Sequence, residues 1–207
     1  DGVLEKNELI DQDSNLRGLI FWGHAPNSQT RGLEMKRAMD KLDLLVVIDP
    51  YPSATAAMAA MPGKPEDLNA DRAVYLLPAA TQLETSGSVT ASNRSLQWRE
   101  KVIEPLFESR TDQMIAYQLA QKLGFGNELV KSSKLVAAKG GMMEPEPEAT
   151  LREINRSNWT IGYTGQSPER LKAHMRNMHV FDVRTLRANG GIDKETGYKL
   201  DGDYFGL

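Results

Sequence analysis

The chain has 207 residues, enough for one domain with a sizeable core, and 40% of them are hydrophobic, which is ordinary for a globular protein. Its formal net charge of −3 excludes a basic field that would hold nucleic acid, so no nucleic acid is expected as a partner. The absence of cysteine excludes thiolate metal sites, iron–sulfur ligation and cysteine nucleophiles from these residues.

Two apolar runs joined by an amphipathic helix form the first predicted unit. Residues 19–22 and 44–48 each predict a buried strand, and apolar residues recur at helical spacing over 31–42. Gly23 follows the first strand and Asp49 follows the second, which is the plan of a nucleotide-binding βαβ unit. We expect the loop after Gly23 to present N–H groups to phosphate, and Asp49 to accept hydrogen bonds from ribose hydroxyls or a purine edge.

An ordinary βαβ unit with a turn glycine and a surface acid is the alternative. The full Gly-x-Gly-x-x-Gly fingerprint is missing, since only Gly23 is present. Pro26 also disfavours a standard NAD loop, because proline fixes φ and removes one N–H from a phosphate cradle. A dinucleotide other than NAD is therefore the better expectation.

The remaining elements are predicted from local patterns. Ser53 caps a short helix over 54–61, and residues 73–77 predict a third buried strand. Residues 81–93 are too polar for core and predict a long ordered loop, and residues 96–102 predict an edge strand or extended segment. Three further helices have capping signals: Thr111 before 112–123 with Gly124 past its end, a capping box of Thr150 and Glu153, and Ser167 with Pro168 before 169–178.

The sequence beyond residue 140 has few apolar residues for a core of its own. Residues 144–148 alternate Glu and Pro and predict an extended acidic spacer. His174 and His179 are five positions apart, so they do not share a helix face as metal ligands would, and we expect both at a surface or interface. We also expect Trp98 and Trp159 to be packing residues.

Glu84 and Asp112 are candidate functional acids with three interpretations. They form an acid/base pair, or Glu84 orders its loop while Asp112 favours the positive end of its helix. In the third interpretation both carboxylates, with Asp49, accept hydrogen bonds from the N1–H and amino group of guanine. Such carboxylates would lie in loops and at a helix start after strands, where a nucleotide base binds in this kind of fold.

Five stretches of sequence carry a resemblance to a known enzyme family. They are FWGHAPNS at 21–28, the stretches 42–57, 75–94 and 95–107, and NRSNWTIGYTGQSPERLKAHMRNMHVFDVRT at 155–185. With these, the chain resembles the dimethyl-sulfoxide-reductase family of molybdenum or tungsten oxidoreductases, which carry bis-molybdopterin guanine dinucleotide. Within that family it is similar to the large catalytic subunits of respiratory formate dehydrogenases, over essentially its whole length.

The resemblance implies a set of cofactor contacts and places no catalytic residue and no metal ligand in this chain. The implied contacts are Gly23, His24, Ala25, Asn27 and Gln29 for the diphosphate, Ile48 and Asp49 for the guanosine with Pro50 beside them, Ala80, Glu84 and Thr85 from a further loop, and Asp112 for guanine. Ala25 and Thr85 depart from the family, where many members have Asn or Asp at the first position and Lys or His at the second.

We therefore expect an α/β protein, with a three-layer, Rossmann-like, mostly parallel sheet over 1–126 and a helical and irregular extension over 127–207. The chain begins at Asp1 rather than Met, and we expect an internal fragment, inactive alone. The resemblance implies a full enzyme that oxidises formate to carbon dioxide at Mo or W and carries an iron–sulfur cluster elsewhere in its subunit.

The resemblance also implies partners and a location, and leaves alternatives open. The implied partners are the remaining domains of the same subunit, an iron–sulfur electron-transfer subunit and a membrane cytochrome subunit, in a periplasmic, membrane-associated complex of anaerobic respiration. One alternative is another molybdopterin oxidoreductase, of the nitrate or thiosulfate/polysulfide type. A second is a non-catalytic docking module that uses the tail from about residue 140 to 207.

Overall fold

The computed structural model describes residues 16–24, 30–39, 42–52, 73–92, 95–157, 166–182, 184–185, 187–188 and 190–200. Residue contacts divide the chain into two compact units, one of residues 1–80 with 107–109 and one of residues 81–106 with 110–207. The domain division that the sequence predicts after residue 126 stays a prediction, because compact contacts and inherited domains need not share a boundary.

The first unit is built on a parallel sheet. Strand β1 (Gly18–Trp22), helix α1 (Gly32–Met39), strand β2 (Leu44–Asp49) and strand β3 (Ala73–Pro78) follow in chain order. The sheet has the order β1-β2-β3, and both strand pairs are parallel. The expected α/β class with a parallel sheet is confirmed. The helix predicted over 54–61 lies outside the described residues.

One face of this sheet forms the core of the first unit. Phe21, Leu45 and Val47 are at most 8% exposed and pack with Met35 and Met39 of α1. Side chains alternate between the two faces of a strand, so these three residues share one face. The apolar residues that alternate along the strands thus pack against the apolar residues that recur at helical spacing in α1.

The opposite face of the sheet is more open. The register pairs Ile20 with Val46 and Val46 with Tyr75, so all three lie in one row across the strands. Ile20 is 51% exposed and Tyr75 is 55% exposed, and Leu44 on the same face is 39% exposed. This face is open around Ile20, Leu44 and Tyr75, whereas Ile48, on the same face of β2, is 1% exposed.

The prediction of a buried strand is wrong for β3 and also for β1, in which only Phe21 is buried. The side chains of Val74, Tyr75 and Leu76 are between 38% and 55% exposed. Within the described residues β3 pairs only with β2, so it is an edge strand and has packing partners on fewer sides. An apolar run alone does not distinguish a central strand from an edge strand.

The second unit begins with a short 3₁₀ helix and a hairpin. The 3₁₀ helix spans Gln82–Glu84, and strands β4 (Gly87–Thr90) and β5 (Leu96–Arg99) pair antiparallel. The prediction of a loop throughout 81–93 is therefore wrong, while the extended segment predicted from residue 96 is confirmed. The polar residues of β4 form a strand because β5 supplies the partner for their backbone hydrogen bonds.

The rest of the second unit alternates helices with a second small hairpin. Its elements are helix α2 (Asp112–Lys122), helix α3 (Gly126–Leu129), strands β6 (Leu135–Ala137) and β7 (Met143–Pro145), helix α4 (Pro147–Ser157) and helix α5 (Pro168–Arg176). Strands β6 and β7 pair antiparallel. Among the described residues, none of the helices combines the length and the apolar character needed to cross a membrane.

Two of the predicted helix caps are confirmed. The hydroxyl of Thr111 accepts a hydrogen bond from the N–H of Met114 at 3.1 Å, and that of Ser167 accepts one from the N–H of Arg170 at 3.1 Å. Gly124, just past α2, has φ of +88°, the conformation for which glycine is favoured after a helix. These signals act locally, which is why the sequence reveals them.

The capping box predicted at Thr150 is wrong, and so is the acidic spacer over 144–148. Helix α4 begins at Pro147, because proline suits the first helical position, and this places Thr150 inside the helix. The hydroxyl of Thr150 donates to the carbonyl of Glu146 at 3.0 Å. Residues of the supposed spacer instead belong to β7 and α4.

The core of the second unit joins distant parts of the chain. Leu96 and Trp98 of β5 pack with Leu151 of α4 and Leu171 of α5, all at most 3% exposed. Trp98 is a packing residue, as predicted, and Trp159 lies outside the described residues. In the described residues Leu151 and Leu171 complete the apolar face of the hairpin, which fits the expectation that the sequence beyond residue 140 has little core of its own.

The two C-terminal histidines occupy different environments. His174 on α5 is 1% exposed, so its predicted surface position is wrong. Its ring meets that of Phe181 edge to face, with centroids 5.1 Å apart. His179 lies in an exposed 3₁₀ turn, as predicted.

Candidate functional site

The carboxyl edge of the parallel sheet brings the first group of predicted site residues together. Trp22 at the end of β1 lies opposite Ile48 on β2, and Asp49 lies opposite Pro78 on β3. The N–H of Gly23 donates to the carbonyl of Ile48 at 3.0 Å. Gly23 and Asp49 therefore leave two neighbouring strands at the same edge, where ligands bind in parallel sheets.

The backbone conformation at position 23 favours glycine. Its φ is +59°, in the left-handed region, and a Cβ built there would meet no atom within 4 Å. The neighbouring ring of His24 stacks on Phe21 with centroids 6.1 Å apart. The predicted contacts Ala25, Asn27 and Gln29 lie outside the described residues.

Asp49 is held in a turn of its own making. Its Oδ1 accepts a hydrogen bond from the N–H of Tyr51 at 3.0 Å, and its carbonyl accepts one from Ala79 at 3.1 Å. An Asp side chain that binds the backbone two residues later closes an Asx turn, which fixes the direction of the carboxylate. Pro50, inside this turn, is exposed, whereas Ile48 and Ala80 are buried.

Glu84 uses its carboxylate to close the loop in which it lies. The side chain is 3% exposed, and its two oxygens accept hydrogen bonds from the N–H groups of Thr81 at 2.6 Å and of Leu106 at 2.5 Å. The bond from Thr81 is the largest cause that lowers the pKa of Glu84, and burial acts in the opposite direction. The geometry supports the interpretation in which Glu84 orders its loop.

Thr85 has a partner that the sequence did not suggest. Arg99 of β5 donates from Nη2 to the hydroxyl of Thr85 at 2.6 Å and from Nε to its carbonyl at 3.4 Å. This pair depends on the hairpin between β4 and β5, where the sequence predicts a loop. The one signal in the sequence is strand alternation over residues 96–99, which predicts that Arg99 lies on the face opposite to Leu96 and Trp98.

Asp112 is the first residue of α2 and is exposed. Thr111, immediately before it, caps the helix and also donates its hydroxyl to Glu144 on β7. A carboxylate here lies at the positive end of the helix. Its exposure leaves it accessible to a ligand.

The comparison with protein families shows which family the chain belongs to. Residues 3–122, more than half of the chain, match the family model of the molybdopterin oxidoreductases. The chain belongs to this family. The match includes all three strands of the parallel sheet, the first hairpin and helix α2.

Two relatives of this molybdopterin oxidoreductase are named as formate dehydrogenases. Formate dehydrogenase 2 subunit alpha (cytochrome c-553) of Nitratidesulfovibrio vulgaris is 31% identical over 152 residues, or 72% of this chain. F420-dependent formate dehydrogenase subunit alpha of Methanocaldococcus jannaschii is 30% identical over 122 residues, or 58% of this chain. The aligned parts span only 14% and 16% of the lengths of these relatives.

The predicted contacts of the molybdopterin oxidoreductase fall into two groups. Gly23, His24, Ile48, Asp49, Pro50 and Ala80 belong to the first unit, and Glu84, Thr85 and Asp112 belong to the second. In the described part of the chain, no three His, Asp or Glu side chains are grouped as a metal site. The role of each residue toward the cofactor stays a prediction.

Proposed function

We propose that this molybdopterin oxidoreductase chain binds the nucleotide end of a molybdopterin guanine dinucleotide within a larger formate dehydrogenase. The observation that carries the proposal is the placement of Gly23 and Asp49 at the ends of two adjacent parallel strands. The family match and the two formate dehydrogenase relatives support it. The guanine form, the contacts and the substrate are parts of the proposal.

The chemistry of these groups fits a nucleotide. Backbone N–H groups after a parallel strand suit phosphate oxygens, and Gly23 follows β1 in the left-handed conformation. Guanine presents two neighbouring N–H donors, and a carboxylate such as that of Asp112 can accept both. Asp49, fixed by its Asx turn, would accept from the ribose hydroxyls.

The metal chemistry belongs to the cofactor and to residues beyond those described here. When bound, a molybdopterin cofactor with Mo or W supplies the two-electron chemistry by which formate becomes carbon dioxide. The residues of this chain would bind the nucleotide end, fix its orientation and shield it from water. We expect no turnover from these 207 residues alone.

The assembly is likewise proposed. We place the chain beside the other domains of its subunit, an iron–sulfur electron-transfer subunit and a membrane cytochrome subunit, in a periplasmic complex. The relative that carries a cytochrome c-553 in its name is consistent with transfer of electrons to another protein. Fractionation of the native cells into periplasm, membrane and cytoplasm checks the location. Purification of the complex from the fraction that contains the chain checks these partners.

Calorimetric titration of the chain with GDP and with NAD tests the nucleotide specificity. We expect GDP to bind and NAD to give only the heat of dilution. Asp112→Ala should weaken GDP binding about tenfold to a hundredfold, since charge-assisted hydrogen bonds contribute roughly 1.5–3 kcal/mol. Glu128→Ala, which removes another exposed acid near a helix start, is the matched control and should leave the affinity unchanged.

Each other outcome is informative. Binding of NAD in place of GDP would assign the sheet edge to a conventional dehydrogenase domain. Binding of GDP with no loss in Asp112→Ala would keep the guanine dinucleotide and remove Asp112 from its contacts. A chain that binds neither nucleotide would contradict the proposal for this polypeptide.

A further inference from the structure

Arg99 is held in a fixed orientation by a single residue of the predicted cofactor loop. Its Nη2 and Nε donate to the hydroxyl and the carbonyl of Thr85, at 2.6 Å and 3.4 Å. Two bonds to one residue restrict both the position and the plane of the guanidinium group. An arginine carries more N–H donors than these two bonds use, so it retains donors for a further acceptor.

Arg99 leaves the hairpin on the face away from its buried core. Leu96 and Trp98 are buried against α4 and α5, and strand alternation places Arg99 on the other face. The register sets Arg99 opposite Gly87 on β4, so no cross-strand side chain covers it. Arg99 is half-buried, which lowers the screening of its charge by water.

The acceptors of Arg99 are neutral, in contrast to those of many other cations of the chain. Those with carboxylate partners are Arg17, Arg31, Lys101, Lys134, Arg152, Lys172 and Arg176. Over the residues that the structure describes, Arg99 has no carboxylate at ion-pair distance, and both its bonds go to Thr85. A half-buried guanidinium group without a compensating anion attracts an anionic ligand.

We propose that Arg99 is a binding residue for the phosphate groups of a nucleotide diphosphate, and that Thr85 positions it. The guanidinium plane fits two phosphate oxygens at once, and Thr85 directs its free N–H groups toward them. The proposal rests on the proposed function for the identity of the nucleotide. The chemistry that it requires is only a diphosphate.

Inorganic pyrophosphate, GDP and guanosine, titrated separately into the full chain, test this assignment. Arg99→Gln should weaken pyrophosphate and GDP binding about tenfold to a hundredfold, as expected for loss of a charged hydrogen-bond donor. Its effect on guanosine should stay within about twofold, since no phosphate is present. Arg99→Lys, which keeps the charge but loses the planar fork, should fall between the native chain and Arg99→Gln.

Two further variants separate a ligand contact from a structural bond. Thr85→Val keeps the positive charge of Arg99 but removes the hydroxyl group that orients its guanidinium group. Pyrophosphate binding should therefore weaken less than in Arg99→Gln. Arg110 is an exposed arginine that donates to the neutral side chain of Gln118, so Arg110→Gln is the matched control for the change of charge and should leave binding unchanged. Far-UV circular dichroism establishes that each variant keeps its secondary structure.

The outcomes distinguish failure of this assignment from failure of the nucleotide proposal. Pyrophosphate affinity that is equal in the native chain, Arg99→Lys and Arg99→Gln would make Arg99 only a link between the hairpin and the loop. Absence of pyrophosphate binding to the native chain would overturn the assignment. Pyrophosphate binding that depends on Arg99, with no preference for guanine, would retain it and reject the guanine nucleotide.

Discussion

Glu84 illustrates how a carboxylate in a ligand loop can serve the loop itself. The sequence allowed it to contact guanine, to take part in acid/base chemistry or to order its segment. Both oxygens accept backbone N–H groups, one within the 3₁₀ helix and one from Leu106. A buried carboxylate with two such bonds stabilises the connection between two segments that are distant in sequence.

Replacing this carboxylate with an amide is expected to destabilise the second unit. In Glu84→Gln the amide group turns an N–H donor toward one of the two backbone donors, so a buried N–H loses its acceptor. We expect a loss of about 1–3 kcal/mol in the free energy of unfolding, measured by urea denaturation. Glu128→Gln, at an exposed position, is the control and should change stability little.

The pH dependence of this difference follows from the direction of the pKa shift. The folded-state pKa of Glu84 is lowered from 4.5, so its contribution is fully present above about that pH and is lost as the pH falls through the lowered pKa. The difference in stability between the native chain and Glu84→Gln should therefore shrink on acidification. A difference that stayed constant down to strongly acid pH would remove the ionised carboxylate from this role.

Individual site residues were predictable to different degrees. Gly23 and Asp49 follow apolar runs directly, so their position at the sheet edge could be inferred from the order of the chain. Arg99 was missed because its position depends on antiparallel pairing with β4, which a polar sequence does not reveal. Glu84 reaches Leu106, and no spacing rule predicts that contact.

Helix ends are the elements that the sequence specified most directly. Ser167 and Thr111 accept backbone N–H groups three residues ahead, as their positions predicted. Thr150 did not cap a helix, because Pro147 begins α4 three residues earlier. A Ser or Thr marks a helix start only when no better start precedes it.

A pair of matched variants measures this difference between the two hydroxyl residues. Ser167→Ala should lower the free energy of unfolding by about 1 kcal/mol, because the N–H of Arg170 loses its side-chain acceptor. Thr150→Ala should be neutral or slightly stabilising, since alanine is the better residue inside a helix. Thermal denaturation of both variants measures the two changes in stability. Equal losses of stability in Ser167→Ala and Thr150→Ala would contradict a stabilising cap at Ser167.

The segment after α5 is fixed by a buried aspartate, which no local sequence pattern predicts. Asp193 is 3% exposed and accepts hydrogen bonds from Arg176 at 2.6 Å, Asn177 at 2.9 Å and Thr196 at 2.5 Å. The bond from Arg176 holds the pKa of Asp193 well below its usual range. Two of its partners lie on or just after α5, so only the folded chain brings this set together.

At the scale of the whole molecule, the open face of the parallel sheet stands out. Parallel sheets are ordinarily covered on both faces, yet Ile20, Leu44 and Tyr75 are between 39% and 55% exposed within the first unit. On the opposite face α1 covers Phe21, Leu45 and Val47, whereas Val74 and Leu76 of β3 stay 38% and 45% exposed. An apolar face of this breadth is typical of a surface that another layer covers.

Dye binding measures this face in the isolated chain. The native chain should increase the fluorescence of the apolar probe ANS, and the double variant Ile20→Ser with Tyr75→Ser should lower that signal clearly. Leu33→Ser is the matched control, since Leu33 is 75% exposed on α1, away from the sheet. Equal signals from the native chain and the double variant would show that the face is covered in solution.

The parallel sheet was predictable as a whole, because each strand is a short apolar run and the connections between them are long enough for crossovers. The grouping of the hairpin with α4 and α5 was not predictable. Its core residues come from three separate segments, and none of those segments is strongly apolar alone. Local patterns report which face is buried but not what covers it.

The same shared core has a consequence for synthesis. Leu96 and Trp98 leave the ribosome well before Leu171, which completes their cluster. At about 5–20 residues per second, the apolar face of the β4–β5 hairpin stays incompletely covered for several seconds. During that interval the nascent chain presents an unprotected strand pair to the cell, so chaperone demand should be set by elongation speed between residues 99 and 171 rather than by final stability.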